Sequence, residues 1–379
     1  MKNNRTFLEK LLDGAEVKWI PLGDVADYEQ PTKYLVNSTV YNDNYPTPVL
    51  TAGKTFILGY TNEDEGIYFA SKSPVIIFDD FTTANKWVDF DFKAKSSAMK
   101  MITSKNEKFA LLKYIYYWLN TLPNNQTDGD HKRQWISNYA NKLIPIPPLP
   151  VQTEIVKILD ALTALTSELT SELTLRRKQY EYYREKLLSH DSSQYSTQKS
   201  DKVKFFHTSN IQWLHLNEIY KFQYGIGNKI PTIGGEYPVY GSNGIVGTHN
   251  EYNSENAPVI GHIGAYAGIV NWAEGKHFVT YNGIICNKIN DNVNSRYAYY
   301  LLLSQNFIDK ANKASQPFIS YDILNKCIVP VPPLEEQQRI VSILDKFEAL
   351  TNSITEGLPL AIEQSQKRYE YYRELLLSF

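Results

Sequence analysis

Acidic residues followed by a lysine in the first third of the chain could bind a metal ion. Asp79 and Asp80 end an apolar run, and Asp91 and Lys93 follow shortly after. Carboxylates bind Mg²⁺ through oxygen, and a metal can activate water for attack on a phosphodiester. A metal-dependent nuclease is therefore one hypothesis, although alternating acidic and aromatic residues also arise freely in strands.

Other catalytic motifs do not occur in the sequence. Gly53 and Lys54 resemble the end of a phosphate-binding loop, but Pro48 occupies the position of its first glycine. The seven histidines form no HExxH pair. Cys286 and Cys327 lack metal-ligand spacing, so buried structural thiols are expected. We therefore expect a chain that is not an enzyme and binds no metal or cofactor.

The composition is that of a globular protein. Any binding to nucleic acid must be local or shared with a partner. With 379 residues the chain should form two or three domains. No apolar run is long enough for a membrane span and the N-terminus does not resemble a signal peptide, which predicts a cytoplasmic location. A net charge of −2 argues against unaided binding to DNA, because neutralising phosphates demands a basic surface.

One segment of the chain occurs twice. Residues 143–166, LIPIPPLPVQTEIVKILDALTALT, return at 328–351 as IVPVPPLEEQQRIVSILDKFEALT. Residues 178–189, KQYEYYREKLLS, return at 367–378 as KRYEYYRELLLS. The second copy is four residues longer, and the extra residues fall near 357–359. The chain is therefore an internal repeat.

Each repeated segment predicts a long helix entered through a proline-rich turn. The two prolines of each PPL forbid helix, and apolar residues then recur at heptad spacing from Ile155 and from Leu159. Over residues 152–188 this predicts a rod of roughly 55 Å. The two helices are expected to pack antiparallel, with a kink near 357–359; two amphipathic helices docked separately are the alternative.

The regions before the two helices diverge strongly from each other, and each is expected to contain short strands and a late helix. Each opens on a similar segment, WIPLGDV with Trp19 or WLHLNEI with Trp213, and continues through short β-type runs and one late helix. The expected order is an N-terminal segment completing the C-terminal repeat (1–14), a first domain (15–148), a spacer helix (149–190), a polar linker (191–202), a second domain (203–333) and a second spacer helix (334–379). The expected fold class is α+β, and because residues 7–12 look like the end of a helical repeat, the arrangement is expected to be quasi-circular.

The doubled pattern of variable region, PPLxxQxxIV, long helix and YEYYRE resembles the specificity subunit of type I restriction–modification systems. The resemblance covers essentially the whole chain. It implies two globular α/β target recognition domains, related by a pseudo-twofold axis, that each read half of a split site in double-stranded DNA. It also implies that the helices act as spacers and dock methyltransferase subunits, two of which are expected, with restriction subunits joining through the complex. S-adenosylmethionine, ATP and Mg²⁺ are then expected on the partners. A non-catalytic coiled-coil scaffold is the other alternative.

Turns rich in Gly, Ser, Asn and Lys are the candidates for DNA contact, because base edges are read mainly by Arg, Lys, Asn and Gln. The candidates of the first domain are Lys54, Lys86, Trp87, Lys93, Lys95, Lys132, Arg133 and Gln134. Those of the second domain are Tyr240, Ser242, Asn243, His262, Tyr266, Lys276, His277 and Gln316.

The repeated YEYYRE motif supplies the candidates for partner binding. Not all of its side chains can face the helix seam, and Tyr182 and Tyr371 fall outside both heptad series. Exposed aromatic residues and arginines are typical of protein interfaces. The candidates are Tyr180, Tyr182, Arg184, Tyr369, Tyr371 and Arg373.

Overall fold

The computed structural model describes residues 7–53, 55–123, 133–189, 210–227, 230, 234–312 and 315–379. The chain forms two compact units. The first unit comprises residues 1–170 and 361–379, and the second comprises residues 171–360. Both boundaries fall inside helices.

The first unit contains a mixture of short strands and helices, as predicted. Its elements are α1 (Phe7–Leu12), β1 (Lys18–Pro21), α2 (Leu22–Val25), β2 (Ala26–Glu29), β3 (Thr47–Leu50), β4 (Ile57–Thr61), β5 (Val75–Asp79), β6 (Asn85–Val88), β7 (Lys93–Ala94), β8 (Met99–Ser104), α3 (Leu112–Leu119), α4 (Gln134–Ser137), β9 (Leu143–Ile146) and the start of α5 (Leu149–Ser189). Short 3-10 helices lie at Pro31–Tyr34 and Tyr139–Asn141.

The described residues of the first unit form three sheets. One has the strand order β2-β8-β5-β6, another β4-β3-β7, and β1 pairs with β9. Strand β5 is apolar throughout, as suits an inner strand of the larger sheet, and it is buried along its whole length. Leu376 belongs to the same apolar cluster as the start of α5, and Leu11 and Leu12 of α1 pack against it, so both α1 and the last helix contribute to this core.

The second unit contains β10 (Gln212–His215), α6 (Leu216–Ile219), β11 (Tyr220–Tyr224), β12 (Tyr237–Gly241), β13 (Gly244–His249), β14 (Ser254–Gly261), β15 (Val270–Val279), β16 (Gly283–Lys288), α7 (Ser295–Ser304), α8 (Phe307–Lys310), α9 (Tyr321–Asn325), β17 (Ile328–Val331) and α10 (Leu334–Asn352). Its main sheet has the order β11-β16-β14-β15-β12-β13, and β10 pairs with β17.

The two units share a topology that their sequences do not reveal. The order β11-β16-β14-β15 repeats β2-β8-β5-β6, and β13-β12-β15 repeats β4-β3-β7 with the same single parallel pair. In the second unit the single long strand β15 occupies the sheet positions that β6 and β7 occupy in the first unit. Two divergent sequences therefore build the same domain.

The repeated motif fastens each long helix to its own domain. Gln152 is fully buried, accepts a hydrogen bond from the backbone N–H of Leu111 and donates to the carbonyls of Phe109 and Pro147. In the second unit Gln337 makes the same three kinds of bond. A buried amide needs hydrogen-bond partners for both its oxygen and its nitrogen, and the repeated motif supplies them in both units.

Tyrosines of α3 and α7 complete this attachment. Tyr114 donates to the carbonyl of Pro145, and Tyr297 donates to that of Pro330. One turn later, Tyr117 and Tyr300 donate to the aspartates of the repeated LD pair, Asp160 and Asp345. Each late helix is thereby hydrogen-bonded to the strand and the long helix that follow it.

The long helices run antiparallel where they can be compared within the second unit. Arg177 bonds to the carbonyl of Thr351, whereas Tyr183, further along α5, stacks on Phe347, which lies earlier in α10. In the middle of α5 the half-buried positions include Leu162, Thr166, Leu169 and Leu173, all members of the predicted seam, and most residues between them are exposed. The antiparallel helix pair was predicted, and the structure confirms it.

The second helical segment is interrupted. Helix α10 ends at Asn352 and α11 (Gly357–Leu377) begins five residues later. Gly357 has a φ of +78°, and a Cβ there would lie 2.5 Å from the carbonyl oxygen of Ala349. Only glycine tolerates both conditions, so it allows the chain to restart a helix next to the kink predicted at 357–359.

Cys286 and Cys327 are both free and buried, in agreement with the prediction of structural thiols. Among the described residues, no helix combines the length and the apolarity that crossing a membrane requires.

Candidate nucleic-acid interface

Several loops of the second unit meet at one edge of its sheet. The Ser242 hydroxyl bonds to the carbonyls of Ile263 and Asn282. The N–H of Gly264 donates to the carbonyl of Pro317, and that of Tyr281 donates to Gly227. Residues 225–227, 242–243, 262–268, 280–282 and 315–320 therefore form one hydrogen-bonded surface, which we call the loop edge.

Packed aromatic side chains support the loop edge. Tyr224 and Tyr321 stack with ring centroids 4.3 Å apart, and the Tyr321 hydroxyl accepts a 2.8 Å bond from the N–H of Tyr224. The His262 ring lies 4.4 Å from Tyr224, and its Nδ1 is 2.9 Å from the carbonyl of Ile319. The loops are thus held by packing and hydrogen bonds at once, which limits their motion.

Of the residues predicted to contact DNA in the second unit, some lie together at the loop edge and others lie elsewhere. Asn243, Tyr266 and Gln316 are exposed at the loop edge. Lys276 is exposed as well, but it lies opposite Glu255 near the start of β14, whereas the loop edge follows the end of that strand. The Lys276 ammonium lies 4.6 Å from the Tyr252 ring.

Four predictions for the second unit require correction. Tyr240, His262 and His277 are buried, so their side chains do not reach a surface that DNA could contact. The Ser242 hydroxyl is occupied by carbonyls of the domain itself. Polar residues in a Gly-rich sequence satisfy neighbouring backbone groups as readily as a ligand, and sequence does not distinguish the two.

The first unit has an edge at the same place in its sheet, built around Asp80. The Asp80 carboxylate accepts a 2.8 Å bond from the N–H of Trp135, and its backbone oxygen accepts one from Gln134. Asp80 follows β5 as His262 follows β14. Asp80 holds the first residues of α4, and His262 holds the segment that leads into α9. Asp80 therefore positions the segment that presents exposed Arg133.

Cations distinguish this edge from that of the second unit. The ammonium of Lys100 lies 3.6 Å from the Asp80 carboxylate and 4.6 Å from the Tyr28 ring centroid. With its amide oxygen turned towards them, Gln30 accepts from Lys100 and from Arg133. A buried charge without its partner costs free energy. The two charges therefore stay together, and this ion pair holds the loop in one geometry.

The residues of the nuclease hypothesis do not assemble into a metal site. Asp80 serves the loop described above, and Asp91 accepts two bonds from Ser71, which lowers the pKa of its carboxyl. Lys93 is buried, ion-paired with Glu63 at 2.9 Å and bonded to the carbonyl of Glu65. Among the described residues no three His, Cys, Asp or Glu side chains could share a metal ion.

Lys93 is accordingly also a wrong prediction for DNA contact, since its charge is neutralised inside the domain. Trp87 is half-buried, and its ring packs 4.0 Å from the Lys113 ammonium and 6.0 Å from Tyr116. Lys86 is exposed on β6 and Lys95 is half-exposed after β7. Lys54 and Lys132 lie outside the described residues.

The YEYYRE motifs divide into buried and exposed members. Tyr180 is buried against Phe347, and Tyr369 is half-buried 6.4 Å from Tyr117, so the prediction of partner contact is wrong for Tyr180 and weakened for Tyr369. Tyr182 and Tyr371 are exposed, as their heptad positions predicted. Arg184 and Arg373 are half-buried over the rings of Tyr180 and Tyr369, respectively.

Sequence reasoning missed a second exposed aromatic pair. Trp19 is 52% exposed on β1 and Trp213 is 58% exposed on β10. Each lies opposite the proline that stands two residues before the repeated PPL triplet, Pro145 or Pro330. The available signal was that a tryptophan recurs at the start of both divergent regions. A large apolar side chain left exposed at the same place in both domains is typical of a contact surface.

Comparison with known proteins identifies the family. The model of the type I restriction modification DNA specificity domain matches residues 15–176 and 216–364, one match for each repeat. The chain is 48% identical to the specificity subunit of the type I restriction enzymes EcoR124I and EcoR124II of Escherichia coli, over 99% of this chain and 97% of the relative.

Two solved structures resemble the fold. The S subunit of a type I restriction–modification system from M. genitalium matches with a TM-score of 0.66 at 18% identity, over 96% of this chain and 97% of that one. A chain from a study of complex assembly and conformational transition of the type I R-M system matches with a TM-score of 0.51 at 17% identity, over 95% and 97%. The chain belongs to the family of type I restriction–modification specificity subunits, as its doubled motif indicated.

Proposed function

We propose that the chain is the address reader of a DNA-modifying complex, in which each unit reads one half of a bipartite target. The observation that carries this is the repetition of one domain fold with two differently composed loop edges. Identical folds present loops at the same place, whereas different side chains on those loops select different bases. One 41-residue helix passes from the first unit into the second and would fix the distance between the half-sites.

The duplicated surfaces support binding of two identical partners. Tyr182 and Trp213 in the second unit correspond to Tyr371 and Trp19 in the first, and all four are exposed. Two methyltransferase subunits, one on each set, are the partners that this duplication fits, with restriction subunits joining through the complex. Their S-adenosylmethionine, ATP and Mg²⁺ would stay on the partners, and the complex would act on cytoplasmic DNA.

The chain itself is proposed to be non-catalytic. The carboxylates that the sequence suggested for metal binding, Asp79, Asp80 and Asp91, accept hydrogen bonds from Phe81, Trp135 and Ser71, respectively, which counts against the nuclease hypothesis. A purely structural scaffold would not need two loop edges of different chemistry.

Methylome sequencing of the source strain with and without this chain tests the proposal. A bipartite methylated motif should be present in the wild type and disappear on deletion. Restoring the chain should restore the motif. Persistence of all motifs after deletion, or loss of an uninterrupted motif, would contradict the proposal.

A further inference from the structure

The loop edge of the second unit exposes a group of large apolar side chains that the polar reading residues do not explain. They are Ile226, Tyr266, Tyr281 and Phe318. Each belongs to a different chain segment, and the hydrogen bonds described above hold these segments together. We call this group the aromatic edge.

Backbone contacts hold segments of the aromatic edge, and a ring contact holds the side chain of Tyr281. The N–H of Tyr281 donates to the carbonyl of Gly227, and its ring meets the buried His262 ring edge-on at 5.3 Å. Phe318 lies in a β-bridge with Ile263. Side chains fixed in this way lose little entropy on binding, which favours a recognition role over accidental exposure.

The charge of these segments indicates what they contact. Residues 225–227, 242–243, 262–268, 280–282 and 315–320 contain no Asp, Glu, Lys or Arg. Lys229 and Lys313 adjoin them in sequence but lie outside the described residues. DNA phosphates demand cations or hydrogen-bond donors, so apolar side chains at this edge are suited to base edges and not to the backbone.

One group on the major-groove edge of the bases is apolar, the C5-methyl of thymine, and it is read by apolar and aromatic side chains. Building on the function proposed above, we propose that the aromatic edge reads thymine methyl groups in the half-site of the second unit. Asn243 and Gln316, exposed beside it, would hydrogen-bond to neighbouring base edges. The edge of the first unit differs because it carries the cations Lys100 and Arg133, although Phe81 and Ile136 are also exposed beside it.

Deoxyuridine substitution tests this directly, because it removes the methyl group and leaves base pairing unchanged. The full chain, in complex with its methyltransferase subunits, is titrated with duplexes carrying the methylated motif. Thymines of one half-site, then of the other, are replaced by deoxyuridine. Affinity should fall about fourfold per contacted methyl in one half-site, the value expected for burying one such group.

The Tyr281→Ala variant should bind thymine and deoxyuridine versions of that half-site equally, and Tyr281→Phe should still distinguish them. Tyr252→Ala is the matched control: Tyr252 is also 46% exposed, as Tyr281 is, but lies before β14 and not at the loop edge. It should behave like the wild type.

Three outcomes would overturn the inference. The wild type could bind deoxyuridine duplexes as tightly as thymine duplexes while still rejecting scrambled DNA. The thymine preference could survive in Tyr281→Ala, or both half-sites could prove to consist of G·C pairs alone. Failure to distinguish the motif from scrambled DNA would instead refute the proposed function. The wild-type comparison can refute the inference even if a variant does not fold.

Discussion

The side-chain oxygen of Gln337 accepts a 2.7 Å hydrogen bond from the backbone N–H of Asn294, the residue that caps α7. Gln152 receives the corresponding bond from Leu111, which occupies the same position before α3. The glutamine of the repeated motif therefore links the N-terminus of a late helix to the long helix in both units.

Replacing Gln337 by leucine should destabilise the second unit by about 1–3 kcal/mol, because it removes the side-chain partner of three backbone groups, of which the carbonyl of Pro332 is buried. Urea unfolding followed by tryptophan fluorescence measures this. Gln338→Leu changes an exposed glutamine next to it and should stay within about 0.5 kcal/mol of the wild type. Equal effects of the two substitutions would contradict the anchoring role.

The stability of the second unit should fall as the pH is lowered, owing to His277. Burial lowers the pKa of this imidazole, whose Nδ1 bonds to the carbonyl of Gly275. The unfolded chain therefore takes up the proton first. The stabilisation is complete above the ordinary histidine pKa of about 6.5 and is lost as the pH falls through the lowered folded value.

Melting temperatures recorded between neutral and mildly acidic pH check this expectation. In His277→Asn the side-chain amide can replace the Nδ1 donor but does not titrate, so its melting temperature should depend less on pH. The other histidines are unchanged and contribute equally to both proteins. Parallel curves for the two proteins would exclude His277 as the source of the pH dependence.

The purified chain should not cleave DNA in the presence of Mg²⁺ or Mn²⁺, since Asp80, Asp91 and Lys93 are committed to bonds within the domain. Plasmid nicking assays on the full chain measure this. Metal-dependent cleavage that disappears in Asp91→Ala would restore the nuclease hypothesis.

The double substitution Tyr182→Ala/Tyr371→Ala should weaken binding of the methyltransferase subunits about tenfold or more, because exposed aromatic residues dominate interface energies. A pull-down with titrated partner measures the loss. Tyr252→Ala removes an exposed tyrosine outside the repeated motif and should bind normally. Equal binding by all three proteins would place the interface elsewhere.

Inserting four residues after Thr170 should lengthen α5 by about 6 Å, comparable with the rise of one or two base pairs. A four-residue step approximates one helical turn and disturbs a heptad seam least. The half-sites should stay the same while the unread spacer between them grows. Single-molecule sequencing of the methylated motif reads both. An unchanged spacer would mean that the helix does not set the distance.

Sequence predicted the repeated parts of the molecule well because their constraints are local. Heptad spacing fixes which residues of α5 are half-buried, the two prolines fix the helix start, and Gly357 marks the restart of α11. The exposed Tyr182 and Tyr371 followed from the same periodicity, since a helix turns by a constant angle per residue.

The loop edges could not be predicted in this way. Whether Lys93 contacts DNA or Glu63, and whether His262 faces solvent or Ile319, depends on segments that lie far away in the sequence. The same is true of Asp80, which holds the N–H of Trp135, and of the shared strand order of two divergent domains. Sequence determined the repeat, the helices and the family, because local periodicity encodes them. Only the tertiary structure decided which polar side chains are free to bind, because burial and hydrogen bonding are set by non-local packing.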